Sequence, residues 1–271
     1  MSHQIVTDQT HERSNQSDPV EQWHRHADQY RRIYDNLQAT YEYFDVVGRE
    51  RRAELLEQAV TFALISAQCG VAQHEAGYAN VMTMTIGSDQ DADADRSIGE
   101  ALRDAGVNYW RNKARYIEHN HRSVGPDVDR VLDHYEHGRI DEMHRAIADE
   151  YLGVGLRKAG FAMALCVTDQ KMCIDTHVAE SAGLDADDIY NGVVVEKYER
   201  QCERVLAQYP RLCDLTGSPF LGVTSTASHD RVGEHGSPFL SQWVLFDSER
   251  GELSQHDPWF LSLPEAVDIR W

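Results

Sequence analysis

The chain has 271 residues, enough for one large domain or two small ones. It carries 45 acidic and 26 basic residues, so its formal charge is −19, and this balance excludes nucleic-acid recognition through a broad basic face. No apolar run approaches the length of about 20 residues that a membrane-spanning helix needs, so we expect no membrane partner.

The basic residues are almost all arginine, because only Lys113, Lys158, Lys171 and Lys197 are lysines. An acidic, lysine-poor composition is typical of proteins kept soluble in concentrated salt; an ordinary acidic cytoplasmic protein is the alternative. Screening by such salt shortens the range of repulsion from DNA, which leaves helix N-termini and close contacts as the means of binding. The five cysteines form no C-x-x-C pair, so we expect free thiols and a cytoplasmic location.

Most of the chain has the pattern of amphipathic helices. Residues 1–19 are polar without apolar periodicity and are predicted to form a disordered tail. Apolar residues then recur every three or four positions, which predicts a helical region over 20–208. Residues 209–271 contain more glycine, proline and serine, and we expect a C-terminal lobe packed on the core. Within that lobe, 242–247 is compatible with a strand or with a short buried helix.

Five of the 14 histidines lie between positions 119 and 144 without a metal-binding pattern. They make no H-E-x-x-H motif, and no cysteine pair accompanies them. We therefore expect no metal site, and we expect these side chains at the surface or at helix caps. They are His119, His121, His134, His137 and His144.

The stretch 151–178 contains the clearest chemical pattern. It begins with a turn, Gly153-Val154-Gly155, that leads into a helix-compatible run. Two glycines at a helix start let backbone N–H groups approach a phosphate without a side chain in the way. A lysine just inside such a helix, here Lys158, can act as an amine nucleophile if its pKa is lowered. Asp175 follows at the N-cap position of the next predicted helix and could be its partner.

Two earlier stretches complete the pattern: Phe62–Gln68 reads FALISAQ, and Gly106–Ile117 reads GVNYWRNKARYI. Together with Leu152–Ala159 and Ile174–His177, they resemble, in the same order, the motifs of the helix-hairpin-helix DNA glycosylase superfamily, the endonuclease III-like enzymes. This resemblance implies a mainly α-helical fold with two helical lobes, a cleft between them and a C-terminal extension.

The resemblance also implies roles for individual residues, in DNA contact and in catalysis. They are Gln68, Gly153, Val154, Gly155, Arg157 and His177 for DNA contact, and Asp175 and Lys158 for catalysis. Gln68 would push into the duplex, and the hairpin would hold a phosphate and a monovalent cation on its carbonyls. The family's iron–sulfur loop needs four closely spaced cysteines after the catalytic core, where only Cys202 and Cys213 lie, so we expect no cluster.

Two registers are open at the nucleophile position. Without a gap Arg157 falls on it, and a shift of one residue places Lys158 there. Because adjacent helix positions point about 100° apart, we expect only one of the two to face the site.

The function that these patterns predict is a DNA glycosylase, with or without abasic-site lyase activity, acting as a monomer on double-stranded DNA. It would flip a damaged or modified base out of the duplex and cleave the N-glycosidic bond. Two alternatives are open. One is a viral or archaeal relative of the fold that acts on modified pyrimidines in DNA, and the other is a non-catalytic hairpin module that binds DNA.

Overall fold

A computed structural model describes residues 17–86, 97–121, 125–175, 178–179, 182–184, 195–217, 237–250, 253, 261, 263–264 and 267. These residues form eleven α-helices and no strand. The helices are α1 (Pro19–Val46), α2 (Arg49–Ser66), α3 (Val71–Ile86), α4 (Ile98–Asp104), α5 (Trp110–Asn120), α6 (Val128–Glu136), α7 (Ile140–Glu150), α8 (Leu156–Cys166), α9 (Val195–Gln208), α10 (Pro210–Gly217) and α11 (Pro238–Arg250). The predicted tail is almost entirely outside the described residues.

Helix starts in the structure follow the local capping signals of the sequence. Asp18 accepts a hydrogen bond from the Val20 N–H at 2.7 Å, directly before Pro19 begins α1. Ser97 and Glu100 form a reciprocal capping box at the start of α4. The ambiguous segment 242–247 lies inside α11 and is therefore helical.

The first lobe is built around α2. Nearly every residue of this helix from Leu55 to Ile65 is buried, on all sides, which is the pattern of a helix surrounded by other helices. It packs against α3, α5, α6 and α8, while α7 covers α6 and α8. The hairpin between α7 and α8 is consequently anchored on the central helix.

The second lobe joins the two ends of the described chain. Helix α1 packs against α10 and α11, and α9 packs against the same pair. Buried hydrogen bonds connect α1 with α11. Tyr30 donates one to Asp247 at 2.9 Å, and Gln22 donates one to Tyr30 at 3.3 Å. The cleft lies between this lobe and the first, as the resemblance implied. Within the described residues no helix is long and apolar enough to cross a membrane.

One prediction about the histidines is wrong. His144 is completely buried, where it packs against Tyr198, and its Nε2 lies 2.6 Å from the Leu156 carbonyl oxygen. His144 is buried, although its ring is polar, because it lies on the inner face of α7 against the start of α8. The ring therefore connects the two helices of the hairpin.

Candidate active site

A cavity of about 850 Å³ occupies the cleft. Its wall is formed by the C-terminal end of α2, by parts of α3, α5 and α11, and by the first turns of α8. Five residues predicted from the sequence lie on it: Gln68, Gly155, Arg157, Lys158 and Asp175. They come from three separate stretches of the chain, and the fold brings them together. His177 lies outside the described residues.

The hairpin before α8 uses its two glycines differently. Gly153 has a φ of +81°, and a Cβ there would lie 2.4 Å from the Tyr116 ring, so this glycine is required by both backbone and packing. Val154 is buried, and its N–H donates to the Tyr151 carbonyl at 3.1 Å. A Cβ at Gly155 would meet nothing within 4 Å. Gly155 therefore presents open backbone to the cavity, while Gly153 and Val154 shape the turn.

The start of α8 is arranged to attract an anion. Gly155, its N-cap, makes no side-chain cap hydrogen bond, and the first turn contains no acidic residue. Instead that turn carries Arg157 and Lys158. Cations beside the positive end of a helix dipole are unfavourable unless a negative group joins them. A phosphate or another anion would supply that charge and would accept the helix N–H groups.

The expectation that only one of the two basic residues faces the site is wrong, because both line the cavity. Lys158 donates a hydrogen bond to the Gly153 carbonyl at 2.8 Å, and burial lowers its pKa. Burial raises the pKa of the Cys173 thiol to about 12, against the opposing effect of Arg157 and Lys158.

Asp175 is the acidic residue among the described residues of the cavity wall. Its Oδ1 accepts a hydrogen bond from the Val178 N–H at 2.8 Å, and its carbonyl accepts one from the Ala179 N–H at 3.0 Å. These contacts confirm the predicted N-cap and fix the carboxylate in position. The side chain is half-buried and lies on the cavity wall, so the same residue both caps a turn and faces the site.

Gln68 is held at the cavity rim by contacts to its backbone. It has a φ of +54°, an uncommon conformation for a residue with a side chain, and it is exposed. Lys113 donates to the Ile65 and Ala67 carbonyls at 2.8 and 2.6 Å, and Asn108 donates to the Gln68 carbonyl at 2.8 Å. Burial lowers the pKa of Lys113 to about 8. The end of α2 is thus clamped in the geometry that projects the Gln68 side chain.

Comparisons with known proteins identify the architecture. No protein-family model and no curated protein matches the sequence. The crystal structure of the 8-oxoguanine DNA glycosylase of Thermotoga maritima matches with a TM-score of 0.57 at 14% sequence identity, over 88% of this chain and 98% of that one. The chain has the helix-hairpin-helix DNA glycosylase fold. At this level of identity the likeness concerns the fold alone.

Several residues of this glycosylase fold line the cavity without having been predicted as site residues. Tyr109 is 64% exposed at the rim and, like Gln68, has a φ of +54°. Lys113 stands in the GVNYWRNKARYI stretch, so the sequence did contain a signal for it. The left-handed backbones of Gln68 and Tyr109, both at this rim, are of the strained kind that is typical of functional sites.

The C-terminal helix supplies an aromatic wall that the sequence did not indicate. Phe239, Trp243 and Phe246 of α11 line the cavity, and the Phe239 and Trp243 ring centroids are 5.4 Å apart. Gln242 accepts a hydrogen bond from the Cys173 N–H at 2.5 Å, which fixes its amide beside these rings. The residues follow the last recognisable motif by more than sixty positions, and only their apolar character was visible in the sequence.

The electrostatics of the cavity differ from those of the whole chain. Its described lining includes Lys113, Arg157, Lys158 and Arg250, whereas Asp175 is the acidic residue there. Two of the four lysines of the protein therefore converge on one cleft. A cleft of local positive charge focuses an approaching polyanion even when the net charge is −19.

Proposed function

We propose that the protein is a DNA glycosylase that flips a base into the cleft and cleaves its N-glycosidic bond. The observation that carries this proposal is the single cavity that gathers Gln68, Gly155, Arg157 and Asp175 in the fold of a known glycosylase. Enzymes that act on a base within duplex DNA must extrude it, because the glycosidic bond is unreachable in the stack.

In this proposal the DNA backbone binds at the hairpin. A phosphate accepts the N–H groups at the open start of α8, beside Gly155, and pairs with Arg157. Gln68 and Tyr109, which project from the same rim, fill the gap that the flipped nucleotide leaves. These contacts are short in range, so they suit an acidic protein that cannot rely on a broad basic surface.

The flipped base lies against the aromatic wall. Trp243 and Phe246 present rings on which a base stacks, and the Gln242 amide offers hydrogen bonds to its edge. Because stacking accepts any base, discrimination falls to the polar contacts. The neighbour acts on 8-oxoguanine, which makes a duplex carrying 8-oxoguanine the first substrate to test.

The chemistry assigned to Asp175 is electrostatic. As the bond between C1′ and the base nitrogen breaks, its electron pair leaves with the base and the sugar becomes positively charged. The carboxylate, fixed by its cap hydrogen bond, stabilises this charge in a partly water-excluded site. A water molecule then adds to C1′ and loses a proton, which completes hydrolysis.

Lys158 supports a second candidate activity, that of an abasic-site lyase. It lines the cavity, and burial lowers its pKa, which favours the neutral, nucleophilic amine. The amine would displace the base at C1′, form a Schiff base with the sugar and lead to strand cleavage by elimination. Borohydride reduces such an intermediate to a stable covalent adduct, so trapping on lesion and abasic duplexes separates the lyase from the monofunctional enzyme.

The decisive variant is Asp175→Asn, assayed for base release on duplexes that carry 8-oxoguanine and a panel of other modified bases. Asparagine caps helices about as well as aspartate, so stability should change by less than about 1 kcal/mol, whereas excision should fall by orders of magnitude. Asp175→Ala, which loses the cap, should cost about 1 kcal/mol in addition. Full excision by Asp175→Asn would contradict the assignment.

Binding assays and mass analysis of the DNA distinguish the two alternative functions. Binding to lesion duplex without base release by the wild-type protein would favour the non-catalytic module. A change in the mass of a modified pyrimidine that stays attached to its sugar would favour the pyrimidine-modifying relative.

A further inference from the structure

Three carbonyl oxygens of the hairpin are already engaged by groups of the protein itself. The Tyr151 carbonyl accepts from the Val154 N–H at 3.1 Å, and the Gly155 carbonyl accepts from the Ala159 N–H at 3.0 Å. The Leu152 carbonyl accepts from the Asn120 amide at 3.2 Å, while the Asn120 oxygen accepts from the Leu152 N–H at 2.9 Å. These three carbonyls are therefore less available to an ion than unbonded carbonyls would be.

A fourth carbonyl, that of Gly153, accepts a hydrogen bond from the Lys158 ammonium at 2.8 Å. Backbone carbonyls bind potassium because their dipoles replace its hydration shell, and an ammonium group uses the same dipoles. Gly153 is fixed by its positive φ and by the Tyr116 ring, so its carbonyl cannot easily turn toward another ligand. Lys158 lies on the turn of α8 that returns over this carbonyl, which holds the contact in place.

A metal cation does not fit beside this contact. An ion bound to the Gly153 carbonyl would lie within a few ångström of the ammonium, in a half-buried setting where repulsion between like charges is strong. Lys113 adds a second positive charge nearby, because the charge of Lys158 contributes to the lowered pKa of Lys113. The monovalent cation that the family resemblance implies is therefore in conflict with the side chains of this chain.

We propose that the Lys158 ammonium takes the place of a monovalent metal cation in this hairpin, so that the turn is held by a charge that belongs to the protein. The proposal concerns the fold of the turn and does not depend on the proposed excision activity. It does set a condition on the lyase alternative: Lys158 would have to leave the Gly153 carbonyl and lose its proton before it could attack a sugar.

The test compares thermal unfolding in potassium chloride and in choline chloride at the same molar chloride concentration. Choline is too large to enter a carbonyl site. The wild-type melting temperature should differ little between the two salts beyond the difference shown by Lys197→Met, which removes a lysine on α9. Lys158→Met should melt about 5 °C lower in choline chloride, because a charge-assisted hydrogen bond is lost. Potassium should restore part of that loss, since it can now reach the carbonyl.

Two results would overturn the proposal. One is a saturable rise in the wild-type melting temperature with potassium that choline at the same chloride concentration does not produce, which would reveal a metal cation on the hairpin. The other is a Lys158→Met protein as stable as wild type in choline chloride. If Lys158→Met does not fold, Lys158→Arg keeps the charge and should stay independent of potassium, and the wild-type comparison remains decisive by itself.

Discussion

Gln68 combines an exposed amide side chain with a left-handed backbone at the point where α2 ends. Replacement by alanine keeps the backbone conformation and removes the group that would fill the gap in a duplex. We expect Gln68→Ala to bind lesion duplex more weakly, with a smaller loss on single-stranded DNA, where no stack has to be filled. Fluorescence anisotropy with both forms of one oligonucleotide measures the difference, and equal losses would remove the assignment of Gln68 as a wedge.

Gln68→Gly is the matched control for this experiment. Glycine accepts a φ of +54° without the steric cost of a Cβ, so this variant should be about 1 kcal/mol more stable than Gln68→Ala. Its duplex binding should nevertheless be reduced as much as that of the alanine variant, because both lack the amide. If Gln68→Gly bound duplex DNA more tightly than Gln68→Ala, in line with its higher stability, the residue would act only through its backbone.

At the scale of elements, the hairpin between α7 and α8 provides a matched pair of glycines. Gly153→Ala should destabilise the protein by at least about 2 kcal/mol. The new Cβ is strained at this left-handed backbone conformation, and it also clashes with the Tyr116 ring. Gly155→Ala should change stability by less than about 1 kcal/mol, since nothing lies near its Cβ. DNA affinity should still fall about tenfold, because a methyl group would separate a phosphate from the helix N–H groups.

Urea unfolding and duplex binding, measured on both variants, test this division of roles. The prediction would fail if Gly155→Ala were the less stable of the two, or if it bound DNA like the wild type. Gly153→Ala is expected to lose binding only in proportion to its unfolded fraction.

The same hairpin contains a buried titratable link, His144. Burial lowers its pKa from 6.5 to about 4, so it stays neutral in the folded protein while the unfolded chain takes up a proton. The contribution of His144 to the free energy of unfolding is consequently fully present above pH 6.5. It is lost as the pH falls from 6.5 to about 4, and the loss is at most about 3 kcal/mol. His144→Gln keeps an N–H donor for the Leu156 carbonyl and should flatten this slope.

Unfolding free energies measured across this pH range give the comparison. His137, which is exposed on the C-terminal side of α6, is the control, and His137→Gln should leave the slope unchanged. An identical slope in the wild type and in His144→Gln would mean that other groups control the acid sensitivity.

For the whole molecule, the dominant property is an excess of 19 negative charges. Some acids are paired, as where Arg49 of α2 contacts Asp129, Asp133 and Glu136 of α6 at 2.6 to 3.0 Å, but exposed pairs of this kind contribute little. The unpaired carboxylates repel one another, and the Debye length grows as salt is removed. We expect the melting temperature to fall between molar and millimolar potassium chloride, and an unchanged value would contradict adaptation to concentrated salt.

The sequence by itself determined the features that arise within a few residues. Helix periodicity and caps predicted most of the helices, and they placed Asp175 at an N-cap because a side chain there bonds to N–H groups only three residues away. The spacing of glycines around Val154 indicated the turn for the same reason. The order of the motifs predicted the fold, which the structural comparison bears out.

Only the tertiary structure decided which distant surfaces meet. Tyr30 and Asp247 are 217 positions apart, and their hydrogen bond in the second lobe depends on the packing of α1 against α11. The aromatic wall around Trp243, the burial of His144 and the exposure of both Arg157 and Lys158 to one cavity have the same origin. Periodicity reports which face of a helix is buried, whereas the partner of that face is selected by shape and by the free energy of the whole core.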